Sequence, residues 1–145
     1  MKVKIVNKSK YELPKYARPG DSGVDIHANI EESIVLKPFE RILIPTGLFV
    51  DIPEGWEIQV RSRSGEVLKK GLTVLNSPGT VDSGYTGEIG VILYNSNPTP
   101  QIVEPGERVA QLILCQVGNI EFEEKDEIKK QTERGATGYG TSGRF

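Results

Sequence analysis

Three of the five aspartates lie in segments rich in glycine and serine, where a carboxylate could take part in chemistry. Asp21 and Asp25 lie in DSGVDIHA, and Asp82 lies in NSPGTVDSGY. An aspartate beside Gly and Ser often shapes a turn. A carboxylate in such a segment can also hold a hydrated Mg²⁺ or orient an attacking water. The residue types alone leave both interpretations open.

Phosphate binding is indicated by the segment RSRSG at residues 61–65, which follows an apolar run. Arginine forks bind phosphate oxygens in pairs, and the first N–H groups of a short helix beginning here would add partial positive charge. The same residues at the end of a strand are equally consistent with an ordinary solvated surface.

The segment GYGTSG at residues 138–143 has the G-x-G-x-x-G spacing of a dinucleotide site, but its position excludes that function. A dinucleotide fingerprint opens a helix after a strand and is followed by an acidic residue about 20 positions later. Only two residues remain after this segment. Arg134, Thr141 and Ser142 could instead donate hydrogen bonds to phosphate, and Tyr139 could stack on a base.

The residues before that segment are strongly charged, because ten of the fourteen residues at 121–134 carry a charge. A segment so charged, followed by so many glycines, cannot fill a core of its own. It is either a frayed terminus or an arm that becomes ordered on a ligand or a neighbouring subunit.

The composition excludes several classes of function. Among 145 residues there are 18 basic and 20 acidic side chains, so no excess of charge indicates a nucleic acid or a membrane as partner. The single cysteine, Cys115, and the single histidine, His27, leave no internal disulfide and little basis for a zinc site or a Ser-His-Asp triad. Cys115 lies in an apolar run and is expected to be buried. No apolar run approaches a membrane span or a signal peptide, so we expect a soluble cytoplasmic protein.

The elements that must position these groups are short apolar or alternating runs separated by turn residues. This pattern, with many β-branched residues and few alanines, favours an all-β sandwich, jelly roll or barrel. Only residues 66–70 resemble a helix. Pro45 is one of the prolines expected between strands, since proline cannot donate to a central ladder. The predicted strands are residues 3–6, 24–30, 34–36, 41–44, 48–52, 56–60, 88–94, 102–103, 108–117 and 120–122.

Five segments in order, SGVDIHA, RSRSG, NSPGTVDSGYTGEI, PGERVAQL and RGATGYGTSG, resemble the five motifs of the trimeric dUTPases. The resemblance covers residues 22–143, nearly the whole chain. It implies an all-β distorted jelly roll, or β-clip type barrel, with at most one short helix. It also implies a core of residues 1–123 and a flexible carboxyl-terminal arm of residues 124–145. In a homotrimer, that arm would close over the active site of a neighbouring subunit.

The resemblance assigns roles residue by residue for hydrolysis of dUTP to dUMP and pyrophosphate, which keeps dUTP out of DNA and supplies dUMP. Asp82 matches the catalytic carboxylate that orients a water towards the α-phosphorus, and Asp25 matches the carboxylate that holds Mg²⁺ through water. Tyr85 would lie under the sugar and exclude ribonucleotides, and Tyr139 would stack on the uracil. Arg108 is expected to be structural. The other matching residues are Arg63, Ser64, Gly65, Gln111, Arg134, Thr141 and Ser142 for the phosphates, and Asn76, Thr80, Val81 and Gly90 for the nucleoside.

Several positions depart from the pattern of the family. Gly84 replaces an acidic residue in the hairpin, which puts the rigidity of the hairpin in question, and residues 136–137 interrupt a glycine run. Tyr139 stands where Phe is typical. Glu66 follows Ser64-Gly65, and a carboxylate there would repel a triphosphate unless it points away.

Two alternatives remain open beside dUTP hydrolysis. The same fold serves dCTP deaminases and bifunctional dCTP deaminase/dUTPases. The other alternative is a non-catalytic β module that binds nucleotide. Release of ammonia from dCTP would indicate the first, and nucleotide binding without pyrophosphate release would indicate the second.

Overall fold

The computed structural model describes residues 1–129, 131–141 and 143. Within these residues the chain forms ten β-strands and one short α-helix, and none of its helical structure is long and apolar enough to cross a membrane. The strands are β1 Lys4–Asn7, β2 Val24–His27, β3 Ile34–Leu36, β4 Arg41–Asp51, β5 Trp56–Arg61, β6 Leu72–Val74, β7 Gly79–Val81, β8 Glu88–Asn95, β9 Gln101–Val103 and β10 Arg108–Gln116, and the helix, α1, is Ser64–Lys70.

The strands form antiparallel sheets that share one hydrophobic core. Their orders are β1-β4-β8-β6, β2-β10-β5-β7 and β3-β9. The alternation of a strand selects the face that is buried: in β8, Ile89, Val91 and Leu93 point into the core, while the residues between them are partly exposed. Ile26 of β2 and Val60 of β5 join the same core from the second sheet. The prediction of an all-β fold with one short helix is confirmed.

The prediction of two strands at residues 41–44 and 48–52, with Pro45 between them, is wrong. Residues 41–51 form the single strand β4, and its register with β8 shifts just after Pro45. A bulge of this kind removes the need for an N–H at the proline. The carboxylate of Glu88 accepts hydrogen bonds from the backbone N–H groups of Thr46 at 3.1 Å and Gly47 at 2.7 Å. The bulge therefore keeps its backbone donors satisfied.

Other sequence expectations differ from the structure at short or terminal segments. Strands β6 and β7, of three residues each, were not predicted from the sequence. The predicted strand at residues 120–122 is wrong, because this segment has no strand partner among the described residues and Phe122 is exposed. Cys115 is partly exposed rather than buried, because it lies near the end of β10.

The described residues after β10 form neither helix nor strand. Nearly all of them are exposed, including the apolar side chains of Ile120 and Ile128. A segment with so few buried apolar contacts has little local stability of its own. The division into a core of residues 1–123 and an arm of residues 124–145 stays a prediction.

Candidate active site

Three residues expected at the phosphates, together with Asp25, which is expected to hold Mg²⁺ through water, lie around one cavity of about 940 Å³, here called the Asp25 cavity. Asp25 comes from β2, Gln111 from β10, and Arg63 and Ser64 from the junction of β5 with α1. The register explains why these side chains meet, because Gln111 of β10 pairs with Asp25 on one side and with the last residue of β5 on the other. Residues 11–18 form the opposite wall, which sequence reasoning did not assign.

Two guanidinium groups hold the Asp25 carboxylate at this cavity. Nε of Arg63 donates to Oδ1 of Asp25 at 2.9 Å, and Nη1 of Arg108 lies 3.5 Å from Oδ2. Nη1 of Arg63 also donates to the backbone carbonyl of Arg108 at 3.0 Å. The side chains of Asp25 and Arg63 are 30% and 26% exposed, so the ion pair borders the cavity. Arg108 therefore helps to orient Asp25. This contact agrees with the structural role expected for Arg108.

The segment RSRSG divides between the cavity and the scaffold. Arg61 lies away from the cavity and donates from Nε and Nη2 to Oε1 of Gln59. The hydroxyl of Ser62 accepts the N–H of Val74 at 2.8 Å, and its carbonyl accepts from Nε2 of Gln111 at 3.0 Å. Arg63 and Ser64 are thus the members of the segment that line the cavity, while Gly65 lies in the first turn of α1.

Gln111 lies close against a glycine, Gly23. A Cβ added at Gly23 would lie 2.4 Å from Oε1 of Gln111, closer than real Cβ atoms come to another heavy atom. The glycine of SGVDIHA therefore makes room for the side chain that bridges β10 and the carbonyl of Ser62. Sequence reasoning treated that glycine only as a turn residue.

The residues expected to read the nucleoside surround a second concavity of about 250 Å³, here called the hairpin pocket. Its described lining includes Leu43, which belongs to no motif used above, and Glu88, which lies in the hairpin motif but was given no role from the sequence. The turn that carries the catalytic candidate is closed by a hydrogen bond from the N–H of Tyr85 to the carbonyl of Asp82 at 3.0 Å. The expected residues that line this pocket are Asn76, Thr80, Val81, Asp82, Tyr85 and Gly90.

A glycine also sets the position of Tyr85. The Tyr85 hydroxyl donates to the backbone carbonyl of Glu88 at 2.8 Å, which lays the ring across Gly87. A Cβ at Gly87 would lie 2.5 Å from the Tyr85 hydroxyl oxygen, whereas a Cβ at Gly84 would meet no atom within 4 Å. The departure at Gly84 therefore leaves the hairpin closed, and the glycine that the site needs is Gly87.

The hairpin pocket and the Asp25 cavity share no described lining residue. Ile58 of β5 pairs with Val81 of β7, so Asp82 lies level with Glu57. Arg63 follows the other end of β5, six residues beyond Glu57, which is about 20 Å at the rise of a β-strand. Asp82 and Arg63 therefore lie towards opposite ends of β5.

Glu66 points towards Arg63, at the cavity, and towards Lys70 of α1. Its carboxylate lies 3.6 Å from Nη1 of Arg63 and 3.8 Å from Nζ of Lys70, and its side chain is 15% exposed. Burial raises the pKa of Glu66. Burial also acts to raise the pKa of Glu107, but hydrogen bonds from Lys70 and from the N–H of Glu104 outweigh it, so the pKa of Glu107 is lowered.

The donor set suits a metal ion that keeps most of its water. The described residues contain no group of three or more His, Cys, Asp or Glu side chains that could enclose a metal. Asp25 is a single carboxylate with about four lone-pair directions, of which the two arginines engage two. Mg²⁺ prefers water and substrate phosphates to a protein cage, so Asp25 could hold it through a coordinated water.

The expected residues of the arm lie apart from both concavities. Arg134 is exposed, and its Nε donates to the backbone carbonyl of Thr137 at 3.3 Å. Tyr139 is exposed with φ of 54°, and Thr141 is exposed as well. Ser142 lies outside the described residues. A role for these residues over the site stays a prediction.

Comparison with known proteins identifies the family. A family model described as dUTPase matches residues 9–143. The deoxyuridine 5'-triphosphate nucleotidohydrolase of Fusobacterium nucleatum is 51% identical over 144 residues, which cover 99% of this chain and 98% of that protein. The resemblance drawn from the five motifs is confirmed.

Solved structures agree with the sequence comparison. A mutant dUTPase of Staphylococcus bacteriophage 80alpha, with dUpNHpp, has a TM-score of 0.87 at 27% identity and covers 99% of each chain. A mutant dUTPase of phage phi11 of S. aureus, described with a structural Mg(II) ion, has a TM-score of 0.79 at 24% identity, covering 90% of this chain and 100% of that one. The expected jelly-roll-like β fold is confirmed by these likenesses. The chain belongs to the dUTPase family.

Proposed function

We propose that this protein hydrolyses dUTP to dUMP and pyrophosphate, with Asp82 orienting the attacking water. The observation that carries the proposal is the hairpin pocket, where Asn76, Asp82, Tyr85 and Gly90 converge on one concavity. Asp82 is exposed at its edge, so its carboxylate is free to accept a hydrogen bond from water. The water oxygen bonds to the α-phosphorus and gives a proton to Asp82, as the bond from the α-phosphorus to the bridging oxygen breaks and pyrophosphate leaves. The reaction removes dUTP and supplies dUMP.

Selection of the nucleoside follows from the same pocket. The amide of Asn76 and the backbone around Gly90 offer donors and acceptors for the edge of uracil, and cytosine would leave such groups unpaired. The hydrogen bond to the Glu88 carbonyl holds the Tyr85 ring in place. A ring held where a 2′-hydroxyl would project excludes ribonucleotides by contact.

The phosphates would lie against the Asp25 cavity of another chain. Arg63, Ser64 and Gln111 line that cavity and present hydrogen-bond donors to it. Asp25 would hold Mg²⁺ through water, and a bound Mg²⁺ neutralises charge on the phosphate oxygens. The separation of about 20 Å between Asp82 and Arg63 along β5 supports sites shared between subunits, and we infer the homotrimer of the family. The arm, with Arg134, Tyr139 and Thr141, would close over the nucleotide.

Pyrophosphate release from dUTP, dCTP, dTTP and UTP in the presence of Mg²⁺ tests this function. We expect rapid release from dUTP and little from the other three nucleotides. The Asp82→Asn variant should lose at least about 100-fold in kcat, because it loses the base that orients the water, while still binding a non-hydrolysable dUTP analogue. Substantial turnover by this variant would contradict the role of Asp82. Ammonia from dCTP would indicate a deaminase, and binding of dUTP without pyrophosphate release would indicate a non-catalytic module.

A further inference from the structure

Ion pairs connect the Asp25 cavity with the helix α1 and with the turn before β10. Arg63, at the cavity, lies beside the Glu66 carboxylate, which lies beside Lys70 one turn further along α1. Lys70 donates in turn to the carboxylate of Glu107. The chain of charges therefore begins at a residue proposed to bind phosphate and ends in the scaffold.

The charged side chain of Glu66 lies where burial makes a carboxylate destabilising. Its side chain is mostly buried, and Oε2 has no hydrogen-bond partner among the described residues. A buried carboxylate oxygen without a partner is destabilising, and a neutral side chain of similar size would avoid the cost. The ion pairs with Arg63 and Lys70 are therefore the contacts that favour a carboxylate at this position.

The contacts of Arg63 indicate a role for the Glu66 carboxylate, because they engage some donors of the guanidinium group and leave others open. Nε is held by Asp25, and Nη1 is held by the carbonyl of Arg108 with the Glu66 carboxylate 3.6 Å away. A guanidinium group has five N–H donors in a rigid plane. With Nε and Nη1 engaged by the protein, the two N–H groups of Nη2 have no hydrogen-bond partner among the described residues and remain for a ligand.

We propose that Glu66 is a positioning residue for the triphosphate, holding Nη1 of Arg63 so that Nη2 is presented to the phosphate oxygens. The inference rests on the proposed function, because it takes Arg63 as a phosphate ligand. Charge alone predicts the opposite effect, since a carboxylate near a triphosphate weakens binding. The sign of the change in affinity when the charge is removed therefore distinguishes the two effects.

The test measures binding of a non-hydrolysable imido analogue of dUTP to the full-length protein by calorimetry in the presence of Mg²⁺. We expect Glu66→Gln to weaken binding about fivefold, as for loss of one partly buried ion pair. We also expect its Tm to be equal to or above that of the wild type, because a buried charge is removed. Glu66→Met removes the same pairing with an apolar side chain of similar length and should give the same loss. Glu54→Gln, the same charge change at an exposed turn, should leave affinity unchanged.

A double-mutant cycle shows whether Glu66 acts through Arg63. In an Arg63→Ala background, Glu66→Gln should cause no further loss of affinity, because the group that it holds is absent. An equal loss in that background would overturn the proposal, as would unchanged or tighter binding by both Glu66 variants in the wild-type background. Pyrophosphate release by the wild type is measured separately, so a protein that binds the analogue without hydrolysing dUTP would contradict the proposed function and leave the Glu66 result intact. Failure of the wild type to bind the analogue would overturn both.

Discussion

Tyr85 owes its position to a glycine two residues further along the chain. The ring lies across Gly87 with its hydroxyl bonded to the carbonyl of Glu88, and a methyl group at Gly87 would overlap the phenol oxygen. The selectivity proposed for Tyr85 therefore depends on a residue outside the lining of the hairpin pocket. Gly84, closer to the catalytic candidate, has open space around it.

Substitution of Gly87 should relax the discrimination between dUTP and UTP. Gly87→Ala displaces the Tyr85 ring, so the ratio of kcat/KM for dUTP to that for UTP should fall about tenfold. Steady-state kinetics with both nucleotides measure the ratio. Gly84→Ala adds the same methyl group in open space and is the matched control, expected to keep the wild-type ratio. An unchanged ratio in Gly87→Ala would show that the position of Tyr85 does not set sugar selectivity.

Most candidate residues could be predicted from the sequence, because they lie in short segments with a recognisable order. The residue types in RSRSG did not distinguish Arg61 from Arg63. The resemblance selected Arg63, and the structure brings that residue to Asp25 while Arg61 bonds to Gln59. Glu66 could only be recognised as unusual, since its partners Lys70 and Glu107 come together through the fold.

Most strands were predictable from their apolar or alternating runs, including the three-residue strand β3, and two short strands were not. β8 has eight residues with a strict alternation of buried and partly exposed positions. β6 and β7 have three residues each and were missed. Pro45 was placed between strands because the expectation for proline is local, whereas the bulge that admits it depends on pairing with β8 and on the Glu88 carboxylate. Long-range strand pairing thus determines strand boundaries that local sequence patterns do not predict.

The segment after β10 should be needed for catalysis and not for assembly. A protein that ends at Glu133 lacks Arg134, Tyr139 and Thr141, which we expect to close over the nucleotide. Its dUTP hydrolysis should fall at least about 100-fold, because an open site neither excludes water nor holds the triphosphate. Light scattering should give the mass of a trimer for both the truncated and the complete chain. Loss of the trimer, or retention of full activity, would contradict this role.

On the proposed function, one chain carries two parts of the site at opposite ends of β5. The hairpin pocket presents Asp82 at one end of β5, and the Asp25 cavity presents Arg63 beyond the other end, about 20 Å away along the strand. Two chains in a closed ring can place the hairpin pocket of one against the Asp25 cavity of the next. On the proposed function, the chemistry then requires an oligomer.

Complementation between two inactive variants tests this account most directly. Asp82→Asn and Arg63→Ala chains with different tags are co-expressed, mixed trimers are purified by both tags, and pyrophosphate release from dUTP is measured beside the wild type. If each site takes Asp82 from one chain and Arg63 from the next, every mixed trimer has one intact site, so activity should reach about one third of the wild-type rate. Mixed trimers no more active than the single variants, beside an active wild type, would show that each chain forms its site alone.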